Sequence, residues 1–160
     1  MKSNFIFILI FILQACIRTL PDEELTMTRR PYTGKEIRID GYYTGAQSVQ
    51  NKYYDYIFFY SNGVVFSFGN FPDIDLNQYL RGSKRKPDWG VFQVEKNNII
   101  NVQGWTENGS DFVRQYILRN DSYTILNDTT LFYENSRGYK TNYYFKKFSP
   151  KPDSTNVFIK

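Results

Sequence analysis

The chain has 160 residues and a net charge of +4, with no histidine and one cysteine beside 14 tyrosines and 14 phenylalanines. That inventory excludes Ser-His-Asp and Cys-His nucleophilic catalysis and every zinc site built on imidazole. A single thiol allows neither an internal disulfide nor a cysteine-based metal cluster. The small charge does not point to nucleic acid. Stability has to come from packing, in which each aromatic ring can bury roughly 150–250 Å².

The chain opens on Lys2, followed by nine apolar residues, 5–13. A membrane-spanning helix needs about 20, so the run reads as the apolar part of a secretory signal. It ends in a small residue before the cut. Leu13-Gln14-Ala15-Cys16, closed by the only cysteine, resembles the lipobox of bacterial lipoproteins. The resemblance implies a signal peptide over 1–15 and diacylglycerol on Cys16, which becomes the mature N-terminus. It also implies a lipid anchor in a membrane of the bacterial cell envelope, the outer one ahead of the inner. Buried acyl chain contributes ~0.8 kcal/mol per methylene, and two chains suffice for stable anchoring.

Residues 16–35 read as a lipidated flexible spacer. They carry Pro21, the acidic cluster Asp22, Glu23 and Glu24, and Arg29-Arg30-Pro31, with little apolar periodicity. Such a stretch buries too little surface to offset its ordering entropy.

From Glu36 the apolar pattern has a period of two, and a β-domain is expected over 36–148. Nine strand-like runs follow: 37–43, 53–60, 64–68, 90–95, 99–105, 112–119, 122–126, 130–134 and 143–148. Asn62-Gly63 predicts a type I′ hairpin. Asn120-Asp121 predicts a turn, and so do the triplets Asn108-Gly109-Ser110, Asn120-Asp121-Ser122 and Asn127-Asp128-Thr129. Tyr54, Tyr56, Phe58 and Tyr60 share one sheet face, and Tyr53, Asp55, Ile57 and Phe59 the other. Both faces are apolar enough to be covered. Pro150 and Pro152 end regular structure, leaving 149–160 as a tail.

Short turns make sequential strands antiparallel neighbours. Closing such a meander into a ring removes its two exposed edges. The expected fold is all-β, an antiparallel up-and-down meander closed into a small eight- to nine-stranded barrel. A two-sheet sandwich is the alternative, for which only residues 70–88 could supply the cross-connection.

That connection is the longest interruption in the domain, and long loops are often functional. Asp73-Ile74-Asp75-Leu76-Asn77 begins like a calcium loop, but Gln78 replaces the glycine and Lys84 the closing glutamate. No metal or cofactor is expected. Lys84, Arg85 and Lys86 form a basic run just before Trp89. These four, with Tyr43, are the candidate ligand- or partner-binding residues. Among Asp55, Asp88, Glu95, Glu107, Asp111 and Glu134, no spacing selects a catalytic pair. No catalytic residue is expected.

The strand-turn order and the segment Trp89-Gly90-Val91-Phe92-Gln93-Val94, continuing to Ile100, resemble the meander of small bacterial lipocalin-like proteins. Gly41-Tyr42-Tyr43 puts tyrosine where lipocalins carry tryptophan in Gly-x-Trp. Lys146 and Lys147 stand where an arginine usually covers that ring. The resemblance implies a calycin-type barrel that binds a small apolar or amphipathic ligand or an envelope component. The alternatives are a solid barrel docking a protein or glycan partner and, last, a carboxylate-based hydrolase. An internal cavity of roughly 300 Å³ or more would favour the first.

Overall fold

The computed structural model describes residues 18–48, 53–71, 76, 80, 85–110 and 113–159. Nine strands lie in this part: β1 (Arg18–Thr19), β2 (Gly41–Ser48), β3 (Tyr53–Phe59), β4 (Val64–Phe71), β5 (Trp89–Val94), β6 (Ile99–Ser110), β7 (Val113–Asn127), β8 (Thr130–Glu134) and β9 (Lys140–Lys147). From β2 to β9 each strand pairs antiparallel with the next, and β9 returns to β2 with Gly41 opposite Lys147. The result is the expected closed eight-stranded up-and-down barrel. β1 adds in parallel to the start of β7, with Arg18 opposite Val113.

Two expectations about strands need correction. Residues 112–126 are not two strands around a turn: β7 runs unbroken, with Asn120 opposite Gln103 and Asp121 opposite Val102. Cross-strand partners hold these two residues extended, because Asn120 accepts from Gln103 Nε2 and Asp121 accepts from Tyr133 Oη. Residues 37–40 are likewise not strand, and β2 begins only at Gly41. Of the three Asn-x-Ser/Thr triplets, only Asn127-Asp128-Thr129 forms a turn, in which Thr129 N donates to Asn127 Oδ1. The others begin within β6 and β7.

Strand alternation sorts the apolar residues into two cores. One draws on all eight barrel strands, through Tyr43, Phe59, Phe92, Ile100, Leu131, Tyr143 and their neighbours, and fills the interior. The other takes its buried strand residues from β2 to β6, through Tyr42, Phe58, Phe66, Trp89, Val91 and Trp105, with Tyr116 and Leu118 of β7 packed against it, and lies on the outside of the barrel. Leu25 and Met27, the helical Leu76 and Leu80, and Phe148, Phe158 and Ile159 cover this outer layer. Rings meet edge-on or tilted in both, as in Phe59–Phe92 at 4.8 Å and Phe66–Trp89 at 4.7 Å, and the outer layer adds the stacked pair Tyr56–Phe68 at 5.1 Å. These are favoured aromatic geometries.

The stretch expected to be a free spacer is docked. Over its first half β7 has no β8 beside it, and an open edge exposes unpaired N–H and C=O groups. Residues 18–23 fill that edge. Tyr116 N donates to Asp22 Oδ1, Leu118 N to Glu23 Oε2, and Glu23 N to Tyr116 O. The acidic cluster therefore caps a strand edge. The chain then crosses β6 and β5 on the outside, where Thr26 N and Met27 N donate to Gln103 Oε1 and Gln93 Nε2 donates to Thr28 O. Residues 32–39 close one end of the barrel. Tyr32 packs on Phe92, Ile37 is buried, and Tyr43 Oη accepts from Arg38 N while donating to Asp128 O.

The segment read as a tail is docked too. Lys151 Nζ donates to Ile39 O and Phe59 O, both at 2.6 Å, and lies over the Tyr60 ring. Ile159 is buried against the outer core.

Three hairpins share one turn geometry. In each, the N–H of Tyr60, Glu95 or Asn135 donates to the carbonyl of Val64, Ile99 or Tyr139, while its own carbonyl accepts from the N–H of the last loop residue, which is left-handed: Gly63, Asn98 and Gly138. Only Gly63 has positive φ at the first turn, so the expected type I′ geometry, which needs two such residues, is replaced by a three-residue loop. At Gly63 φ is +81°, and a Cβ would overlap the carbonyl of Arg30. Gly63→Val is expected to cost more than ~1 kcal/mol in urea unfolding, the low end for strained backbone. A neutral result would mean that residue 30 does not pack there.

Candidate functional site

The ends of the barrel differ. Toward the starts of β2, β4, β6 and β8 the interior is apolar and closed by residues 32–39. Toward the starts of β3, β7 and β9 the inward side chains become polar. Asp55 follows Phe59 up β3, Ser67 and Gly69 follow Val65 up β4, and Tyr133 follows Leu131 up β8. Here the barrel holds a cup of about 530 Å³, open to solvent and walled by Asp55, Ser67, Arg119, Asp121, Tyr123, Tyr133, Tyr139 and Tyr143, among others.

Arg119 crosses the cup wall. In register it follows Gly104 and Gly90, beyond which comes Val65, so two positions beside it carry no side chain. A Cβ on Gly104 would come within 2.8 Å of Trp89 O, so close strand approach also requires glycine there. Across this bare strip Arg119 Nη2 donates to Ser67 Oγ at 3.1 Å, while its Nε stands 2.9 Å from Asp121 Oδ2. Tyr133 Oη donates to Asp121 Oδ1 and Tyr143 Oη to Asp55 Oδ2, at 3.1 and 2.9 Å. Tyr139 Oη donates to Ala46 O. The rings of Tyr123, Tyr133 and Tyr143 touch one another, with Tyr143 edge-on to both others. One cation, two carboxylates and several phenols thus face one cavity.

Burial first, then the nearby carboxylates and, for Tyr143, the neighbouring Tyr123 phenol ahead of Asp55, push the Tyr123 and Tyr143 phenols above their ordinary range and Tyr133 up to about 12. The folded chain thus favours neutral phenols. Their contribution is complete below the unfolded value of about 10 and is lost as pH rises through the folded values. Urea midpoints are expected to fall from about pH 10 upward. A midpoint unchanged to pH 12 would place these phenols in water.

The residues singled out from sequence lie elsewhere. Tyr43 is in the interior core at the closed end, with both its hydrogen bonds made to backbone. Trp89 is 1% exposed and belongs to the outer layer. Lys86 is no mobile cation: it pairs with Asp22 and lies 4.7 Å over the Trp105 ring. Arg85 is exposed and stands 3.4 Å from Asp88. Lys84 and Cys16 lie outside the described residues, as do Asp73, Asp75 and Asn77. Among the described residues no group of three His, Cys, Asp or Glu could hold a metal.

Sequence reading missed Arg119, Asp121, Tyr123, Tyr133, Tyr139 and Tyr143. Once a closed meander is granted, alternation alone sends Asp55, Ser67, Arg119, Asp121 and Tyr133 to the same side as Phe59, Val65 and Leu131.

The fold and cup define a closed antiparallel barrel, plugged at one end and carrying a tyrosine-rich polar cavity at the other. Comparison of the chain with family models, curated proteins and solved structures returned no match.

Proposed function

We propose that this chain is a bacterial envelope lipoprotein, anchored through lipid on Cys16, whose lipocalin-like barrel binds a small amphipathic ligand without transforming it. The observation that carries the reading is the cup of about 530 Å³ at the open end. Ligand sites commonly enclose about 300–1,000 Å³ and combine apolar walls with a few placed polar groups. Tyrosine faces suit the apolar part of such a ligand. Arg119, Asp121 and Asp55 suit a polar head. A solid barrel acting only as a docking subunit would lack this space. A hydrolase would need Asp55 and Asp121 as its acid and base, yet both accept hydrogen bonds from tyrosines, which fits a binding wall.

The test is a titration of the purified mature chain with the apolar fluorophore N-phenyl-1-naphthylamine, followed by displacement with sub-micellar dodecyltrimethylammonium or dodecyl sulfate. Saturable binding is expected, displaced by at least one amphiphile. Ser67→Trp should fill the cup from β4 and weaken binding about tenfold, equivalent to ~1.4 kcal/mol. Unchanged binding by a folded Ser67→Trp chain would move the ligand off the cup.

A further inference from the structure

The path of the first described residues fixes which end of the barrel a membrane anchor would hold. β1 is parallel to β7 and pairs with its first two residues, Val113 and Arg114. The start of β7 points toward the open end and overhangs it: β8 meets β7 at Tyr133 opposite Tyr123, ten positions after Val113. The chain therefore enters on the open side, at the tip of the β6–β7 hairpin. Cys16 precedes Arg18 by two residues, and two residues span at most about 7 Å. Beyond Arg18 no loose length intervenes. Gln115 Nε2 donates to Pro21 O, Tyr116 N to Asp22 Oδ1, and Leu118 N to Glu23 Oε2. These bonds tie the chain to β7 from its start.

We propose that the open end of the barrel is the end turned toward the membrane, with the cup mouth facing an anionic bilayer surface from which its ligand comes. This inference rests on the lipid-anchor reading of Cys16. A leash of some twenty free residues would let the domain tumble far from the bilayer. A chain fixed to β7 from Arg18 onward holds one end down. The closed end then lies roughly 45 Å away along β7, at about 3.4 Å per residue.

Exposed charge on the open side is net positive among the described residues: Arg137 lies in the hairpin between β8 and β9 and Arg85 just before β5, against Glu107, while Glu134 and Lys140 pair with each other. Basic residues near an anionic leaflet are attracted to it.

The experiment uses the full lipidated chain in vesicles of phosphatidylethanolamine and phosphatidylglycerol containing a nitroxide head-group lipid. A fluorophore is placed on Ser136→Cys at the open rim or on Lys96→Cys at the closed end, both exposed positions. Mass spectrometry of the peptide bearing Cys16 reports whether lipid is attached. With lipid attached, quenching several-fold greater at residue 136 than at residue 96 is expected. Equal quenching, or greater quenching at residue 96, with lipid on Cys16 overturns the orientation and leaves the anchor intact. A bare Cys16 overturns the anchor reading and the orientation with it.

Discussion

Trp89→Ala is expected to lower the free energy of unfolding by about 3–5 kcal/mol, the range for deleting a buried large aromatic ring. The indole is 1% exposed and packs 4.7 Å from the Phe66 ring in the outer layer. Truncation would leave a cavity beneath β5 that strand backbones cannot collapse to fill. A urea series should show a lower midpoint with an unchanged slope. Cup binding by the fraction still folded should be unaltered, since Trp89 faces away from the interior. If Trp89→Ala instead abolished ligand binding while the midpoint held, the tryptophan would belong to a binding surface after all.

Gln103→Leu is expected to cost about 2–4 kcal/mol, a large loss for a near-isosteric change. The side-chain amide is 5% exposed and fully used. Its oxygen accepts from Thr26 N at 2.7 Å and Met27 N at 2.8 Å, and its nitrogen donates to Thr26 Oγ1 and Asn120 Oδ1 at 2.9 Å. Leucine would leave these groups without partners, and each buried unsatisfied group costs ≈ 1–3 kcal/mol. Water entering a loosened strap would recover part of that. Hydrogen exchange at Thr26 and Met27 should accelerate well before the barrel unfolds. Protection at these two amides equal to that of the parent chain would mean the strap is held by other contacts.

The barrel was legible because its signals are local. Period-two alternation at Tyr54 to Tyr60 and turn residues at Asn62-Gly63 and Asn135–Gly138 require no knowledge of distant partners. The errors arose where a distant partner decides. Asn120-Asp121 has the composition of a turn, yet Gln103 and Tyr133 hold it straight inside β7. Residues 18–30 have the composition of a linker, yet they complete an edge that exists only because β8 is shorter than β7. Lys84, Arg85, Lys86 and Trp89 attracted notice as charge beside an aromatic, but alternation turns Trp89 outward under the covering segments. The cup stayed hidden for a related reason. Inward polar residues on a barrel strand have the same spacing as solvent-facing ones until ring closure shows which side is enclosed.

The strap contacts also bear on the order in which the chain can fold. Thr26 and Gln103 are 77 positions apart, and the ring closes through Gly41 and Lys147. Every other barrel pairing joins neighbours in sequence. Hairpins from β2 onward can therefore form as the polypeptide emerges, because contacts close in sequence carry little loop-closure cost. The strap waits for β6 and β7, and the last barrel pairing waits for β9. The first ordered residues to appear are thus kept without partners until most of the domain has followed. A chain stopped before β9 would leave β2 and β8 as unpaired strand edges, the kind of surface that drives aggregation of incomplete β-proteins.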